Sequence, residues 1–371
     1  MGIQGQFCYR WSVLMAIFFG SAALAAEPTI DQREAAAKAA AVGKSCASLN
    51  FYWEIGDANG NVRSGNGPAG TAATKVKPTK SDYIASSGKW LYAAYALEKS
   101  GGVLSEDASV DVRYLNFTSG HQNLGPCAGK TVGACGDVTK NNKPTPADVG
   151  KFYYGSGHME AHASKDALGL IGLKDLKAAA LGPAIGAALS LNQGSNRLDY
   201  AGPVLAGDAK LDALNYTWFL RQVLNGTHKM KDFLGVNAVC ASADRGTGNK
   251  LVKYCPRDAD GRSVALSSPP ELNDYSALTP NQDYLNSPNP DPTGTPWPAN
   301  GEPWKYSIGH WVERDGTFSS PGAFGFYPWI DKDKKWYGVV ARYETGNVLA
   351  YQKSVVCGRA IRNAWLFAKA S

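Results

Sequence analysis

The hydrophobic pattern changes period several times along the chain. Residues 30–48 are Ala-rich with helical spacing, and Asp31 stands where an N-cap is expected. Phe51 to Ile55 reads as a strand. Asp57-Ala58-Asn59-Gly60 reads as a hairpin turn, since Asn-Gly tolerates the positive φ such turns need. A second short strand follows near Val62. From Ser86 to Lys99 the period is helical again: Trp90, Leu91, Ala94, Tyr95 and Leu97 make an apolar face that Gly101-Gly102 ends. The stretch from about 105 to 235 reads as a mainly helical insert, with helices over Ala163–Leu173, an Ala/Leu-rich run to Leu191, Tyr216–Leu224 and Met230–Leu234. Strands return at Tyr306–Glu313, Phe318–Trp329 and Trp336–Tyr343, and a last helix runs from about Ser354 to Phe367. Helix, hairpin, helical insert, strands, helix: this order predicts an α+β sandwich. Both chain ends feed one antiparallel sheet, and the terminal helices lie on one of its faces. No internal repeat is present.

Two segments stand outside that scheme. Residues 1–25 have a polar start with Arg10, an apolar run from Trp11 to Ala25, and small residues at its end, the pattern of an export signal cleaved after Ala25. The run is too short to span a bilayer, and no later segment reads as a span. A single domain is therefore expected over 26–371. Within it, about 256–303 reads as a long surface loop, because residues 269–303 hold nine of the 20 prolines.

Composition narrows the function. Of 371 residues 44% are hydrophobic and 19% charged, a globular balance that excludes disordered and fibrous classes. The net charge of +6 is spread without a basic run, which argues against a nucleic-acid partner. Six cysteines follow the signal, an even number that suits disulfides in an exported chain. Fifteen pairings are possible. Cys127–Cys135 and Cys240–Cys255 make natural local pairs, which leaves Cys46–Cys357 to join the two ends. No Cys-x-x-Cys pair supports a zinc site.

The candidate chemistry starts at Ser86-Ser87-Gly88-Lys89. On a helix, residues three apart share a face, so a hydroxyl meets an amine. The hydroxyl is a weak nucleophile until a base takes its proton, and a lysine does so only when burial or charge keeps it neutral. The adjacent helix N-terminus offers unpaired N–H groups to an oxyanion. Alone, the tetrapeptide reads better as a capping serine and a solvated lysine.

Its surroundings change that reading. Tyr83-Ile-Ala-Ser-Ser-Gly-Lys-Trp-Leu resembles the nucleophile segment of the penicillin-recognising serine hydrolases: serine β-lactamases, D-alanyl-D-alanine carboxypeptidases and class C-like esterases. Leu115-Asn116-Phe117-Thr118-Ser119-Gly120 is similar to a downstream Leu-x-x-x-Thr-Ser-Gly segment. Tyr153-Tyr154-Gly155-Ser156 stands where the class C branch carries Tyr-x-Asn or Tyr-x-Ser, and Ser320-Pro321-Gly322 where it carries Lys-Thr-Gly. The resemblance implies a β-lactamase-like fold. It implies Ser86 as the acylated nucleophile, Lys89 as its base, and Tyr154 as second proton carrier, with Tyr153 the alternative. Ser156 would bond Lys89 or substrate. The N–H groups of Ser86 and Ala323 would form the oxyanion hole, with Ser320 and Gly322 in the substrate-binding segment. No cofactor is implied.

The departures shape the expected activity. Ser320-Pro321-Gly322 lacks the lysine that greets a substrate carboxylate, which favours an ester or amide, small or oligomeric, over a β-lactam. The same absence motivates an alternative: a non-catalytic or slowly deacylating cell-wall or β-lactam binding domain. No Glu-x-x-Leu-Asn segment supports deacylation by a glutamate-bound water. His158 and His162 have the i,i+4 spacing of a zinc pair. Glu160 between them is at i+2, where it points away from the pair, and no third ligand is evident. The expectation is therefore no metal, with His158 ordering the Tyr154 turn and His162 on a helix surface. Aromatics crowd the last strands, among them Trp304, Trp311, Phe324, Phe326, Tyr327, Trp329, Trp336 and Tyr337, as core or as walls of a cleft.

Overall fold

The computed structural model describes residues 27–104, 111–121, 124–138, 143–146, 149–150, 152–165, 169–241, 304–313 and 315–369. The expected export signal, the proline-rich segment and Cys255 lie outside the described residues, as does the side chain of Cys240.

Thr29 caps helix α1 (Ile30–Val42) in a capping box with Gln32, so the cap falls two residues before the expected Asp31, and Gly43 ends the helix earlier than expected. Strands β1 (Tyr52–Asp57) and β2 (Gly60–Asn66) form the expected hairpin, with Gly60 at φ +146°. A short strand β3 (Asp82–Tyr83) leads into a 3₁₀ turn, Ala85–Ser87, and then helix α2 (Gly88–Lys99). One helix from Ser86 was expected. Ala85 at φ +46° breaks the register instead and sets Ser86 in a tight turn before the helix.

The insert holds α3 (Asp111–Leu115), α4 (Val132–Gly136), α5 (Gly157–Ser164), α6 (Ala178–Ala188) and α7 (Ala213–Leu224). The helix expected over Ala163–Leu173 does not form. Helix α5 stops at Ser164, and Gly169 and Gly172 take left-handed φ of +66°. Met230 to Leu234 is a 3₁₀ turn, Lys229–Phe233, rather than an α-helix. Two further strands, β4 (Asp199–Tyr200) and β5 (Ala209–Leu211), make with β3 a small sheet in the order β3-β5-β4 that the sequence does not suggest. Strands of two or three residues are too short to show alternation.

After the insert come β6 (Val239–Cys240), β7 (Lys305–Tyr306), β8 (Trp311–Val312), β9 (Phe318–Ser319), β10 (Tyr327–Ile330) and β11 (Tyr337–Ala341), then helix α8 (Ala350–Phe367). Tyr306–Glu313 was expected as one strand but turns at Gly309, φ +70°. Phe318–Trp329 likewise breaks at Pro321–Gly325, and that break supplies a wall of the candidate site. The large antiparallel sheet runs β2-β1-β11-β10-β9-β8-β7-β6, so the first and last strands of the chain are neighbours, as expected of an α+β fold.

Cross-strand pairs hold the sheet centre. Gly65 faces Trp53, Gly56 faces Tyr337 and Gly338 faces Trp329, and in each case the ring lies where a Cβ would collide. Each glycine thus seats an aromatic that alternation alone would place too high on the sheet. Helices α1 and α8 pack together on one side of the sheet, and α7 packs against β1, β10 and β11. Cys46 and Cys357 are bonded, tying the segment after α1 to α8, and Cys127 is bonded to Cys135.

The Cys46–Cys357 bond spans 311 residues of sequence, so it restricts the unfolded chain strongly. Replacing both cysteines by alanine is expected to lower unfolding free energy by about 2–4 kcal/mol in urea titration under oxidising conditions. An unchanged midpoint would show that the terminal helices need no such tie.

Candidate active site

The Ser86 turn is laced to the β9–β10 loop from inside. Ser87, not Ser86, points into the core, where its hydroxyl donates to Ser320 O (2.6 Å) and to Phe326 O (3.3 Å). Its own carbonyl accepts from the Tyr216 hydroxyl (2.8 Å). Ser320 Oγ–H donates to Ser86 O (3.1 Å). Gly322 lies so close that an added Cβ would sit 2.0 Å from Ile84 O. Only glycine permits this approach, which sets Ala323 opposite the turn. The N–H groups of Ser86 and Ala323 have no acceptor among the described residues.

Lys89 is buried in the first turn of α2. Its ammonium donates to Ser86 Oγ (2.9 Å) and to Ala206 O (2.7 Å), and lies 4.9 Å from the centre of the Tyr154 ring. Ala206 comes from the turn of the β4–β5 hairpin, which β3 holds in place through Asp82–Leu211 and Tyr83–Lys210 pairing. The small sheet therefore delivers the second partner of the amine. Burial pushes Lys89 down to about 8, partly opposed by the negative charge of Glu160.

Tyr154 is the tyrosine beside Ser86. Burial pushes its hydroxyl up to about 12, partly opposed by the side chains of Ser86 and Trp311. Rings of Phe117, Tyr306 and Trp311 pack around it at 5.0–5.7 Å. Tyr153 is held by its backbone: its N–H donates to Phe117 O (3.0 Å) and its carbonyl accepts from His158 Nε2 (2.9 Å).

Ser156 precedes α5. Of the two partners expected for it, Lys89 or substrate, Lys89 is bonded to the carbonyl of Ala206 instead. His162 differs from its expectation: it is buried, not on a helix surface, between the Tyr92 hydroxyl (2.6 Å) and Asp111 Oδ1 (2.9 Å). His158 turns another way. It accepts from Ser119 Oγ–H (2.7 Å), stacks on Phe117 and, through Tyr153 O, holds the Tyr154 segment to the Thr-Ser-Gly-like one. Burial lowers it to about 3. The two histidines share no centre, and among the described residues no group of three metal-ligating side chains occurs.

Glu160, Ala206 and Trp311 join the site without a sequence signal for their roles. Glu160 was read only as facing away from the histidines. It does so because it faces Ala206, whose N–H donates to its Oε1 (3.1 Å).

No family model and no curated protein matches the chain in sequence. Solved structures do match. One is unliganded simvastatin synthase, LovD, from Aspergillus terreus, at 12% identity and TM-score 0.50 over 88% of this chain and 98% of that one. Another is EstCE1, a hydrolase with promiscuous acyltransferase activity, at 10% identity and TM-score 0.50 over 88% and 99%. The fold is β-lactamase-like. In this β-lactamase-like fold the Ser86 turn, the Tyr154 segment and the β9–β10 loop converge, in the chain order that the motifs follow.

A buried ammonium costs stability. Below pH 8 both folded and unfolded chains hold the Lys89 proton, and the fold carries the full penalty. Between about 8 and about 10.4 only the unfolded chain holds it, so stability rises with pH through that window. Lys89→Met is expected to be about 1–3 kcal/mol more stable than wild type at pH 7, with the margin shrinking above pH 8. Urea titrations at pH 7 and pH 10 check this. A variant several kcal/mol less stable at pH 7 contradicts it.

Proposed function

We propose that the chain is an exported serine hydrolase that cleaves an ester or amide through an acyl-enzyme on Ser86. The observation that carries this reading is a fully buried Lys89 amine, brought down to about 8, with its nitrogen 2.9 Å from the Ser86 oxygen. An amine in that state takes the Ser86 proton near neutral pH. The oxygen then attacks the substrate carbonyl, and the open N–H groups of Ser86 and Ala323 receive the oxyanion. Tyr154 gives its proton to the leaving group and takes in its place the proton that Lys89 had accepted. Water then attacks the acyl carbonyl, its proton passing by way of the Tyr154 hydroxyl to Lys89, and Lys89 returns a proton to the departing Ser86 oxygen as the acid is released.

The substrate reading rests on the third segment. Ser320-Pro321-Gly322 has no cation, and its one hydroxyl is spent inward on Ser86 O. A substrate carboxylate thus finds no partner there, which favours an uncharged ester over a β-lactam. EstCE1, a hydrolase of this fold, is consistent with that at the level of architecture.

Ser86→Ala is expected to abolish both fluorophosphonate labelling and p-nitrophenyl ester turnover. Tyr154→Phe is expected to slow turnover by about 10²–10⁴ while leaving the fold intact. The wild-type labelling rate is expected to rise with pH through about 8, because only neutral Lys89 accepts the proton. Labelling that survives in Ser86→Ala would overturn the mechanism. Wild-type labelling by a chromogenic ester without release of acid would instead indicate a slowly deacylating binding domain.

A further inference from the structure

Lys89 donates to the carbonyl of Ala206, and the N–H of that same residue donates to Glu160. The amine and the carboxyl are thus linked through one residue of the hairpin turn. Both are buried, and among the described residues Glu160 Oε2 has no hydrogen-bond partner. A buried carboxyl with one oxygen unpaired is costly unless it serves another purpose. The acyl-transfer steps above do not use it.

We propose that Glu160 is a positioning residue that governs how readily Lys89 gives up its proton, acting through Ala206. The proposal rests on the reading of Lys89 as the base of Ser86. An ionised Glu160 holds the ammonium on Lys89, while a protonated Glu160 releases it. The two groups share protons, so their titration steps belong to the pair. Burial raises Glu160 to about 7, close to the lowered Lys89. Two other groups face the carboxyl from the hairpin strand and its turn: Asp208, whose charge opposes ionisation, and Tyr200, with its hydroxyl buried. On its own helix, His158 and His162 are engaged with Ser119 and with Tyr92 and Asp111. The arrangement gives the site a device for setting the pH at which acylation begins, without any contact between Glu160 and substrate.

Glu160→Gln keeps an acceptor for Ala206 N–H and removes the charge. The rate of fluorophosphonate labelling, followed from pH 5.5 to pH 10 on the full chain, is expected to show its midpoint about one unit lower than wild type. Labelling one unit below the wild-type midpoint then rises about fivefold. Glu160→Ala, which removes the charge without asking the site to seat an amide, is expected to lower the midpoint likewise. An unmoved midpoint in a folded variant, or a shift upward, overturns the proposal. Should Glu160→Gln fail to fold, the Glu160→Ala shift decides alone. Ser86→Ala, measured beside them, separates this outcome from failure of the Ser86 mechanism, which shows as labelling that does not depend on Ser86.

Discussion

A buried amine holds this site together. Lys89 is enclosed by α2, the Tyr154 ring and the β4–β5 turn, so among the described residues a carbonyl, a hydroxyl, an aromatic face and the nearby Glu160 charge stand in for solvation. That environment lowers its affinity for a proton. It also explains why three remote segments have to meet: the small sheet brings Ala206, α5 brings Glu160, and the strands near the chain end bring Trp311 and Tyr306 around Tyr154. The fold tolerates an energetic cost at Lys89 because a large antiparallel sheet and a bond between the chain ends supply stability elsewhere.

The Ser86 turn shows the same division of labour. Ser87 is the structural serine, bonded to two carbonyls of the opposite loop, and this leaves Ser86 outside the core at the amine. The strain of a positive φ at Ala85 is held by Tyr216, Ser320 and the close approach of Gly322. Two adjacent serines of identical chemistry are told apart only by which way the turn presents them.

Much of this was legible in the chain. The hairpin at Asn59-Gly60, the α2 face, and the placing of both ends in one sheet follow from turn chemistry and periodicity, which act locally. The meeting of Ser86 with Lys89 follows from residue spacing. What local rules do not carry is the partner of the amine. Ala206 acts through its carbonyl, which every residue has, so no side chain marks it. Glu160 looked idle because its partner lies 46 residues away in sequence. The breaks at Gly309 and at Pro321–Gly325 split two expected strands because tertiary contacts with α2 and with Ile84 override the strand pattern. His162, polar and flanked by small residues, read as surface, yet Tyr92 and Asp111 hold it inside.

The central claim concerns the charge of one side chain, and it is open to direct observation. Heteronuclear NMR titration of ¹³C-labelled lysine, with the Lys89 resonance assigned by its loss in Lys89→Met, reads that charge without reference to any substrate. The account predicts an apparent pKa near 8, separated from the other lysines. A Lys89 resonance that titrates with the bulk lysines, near 10.4, would contradict it.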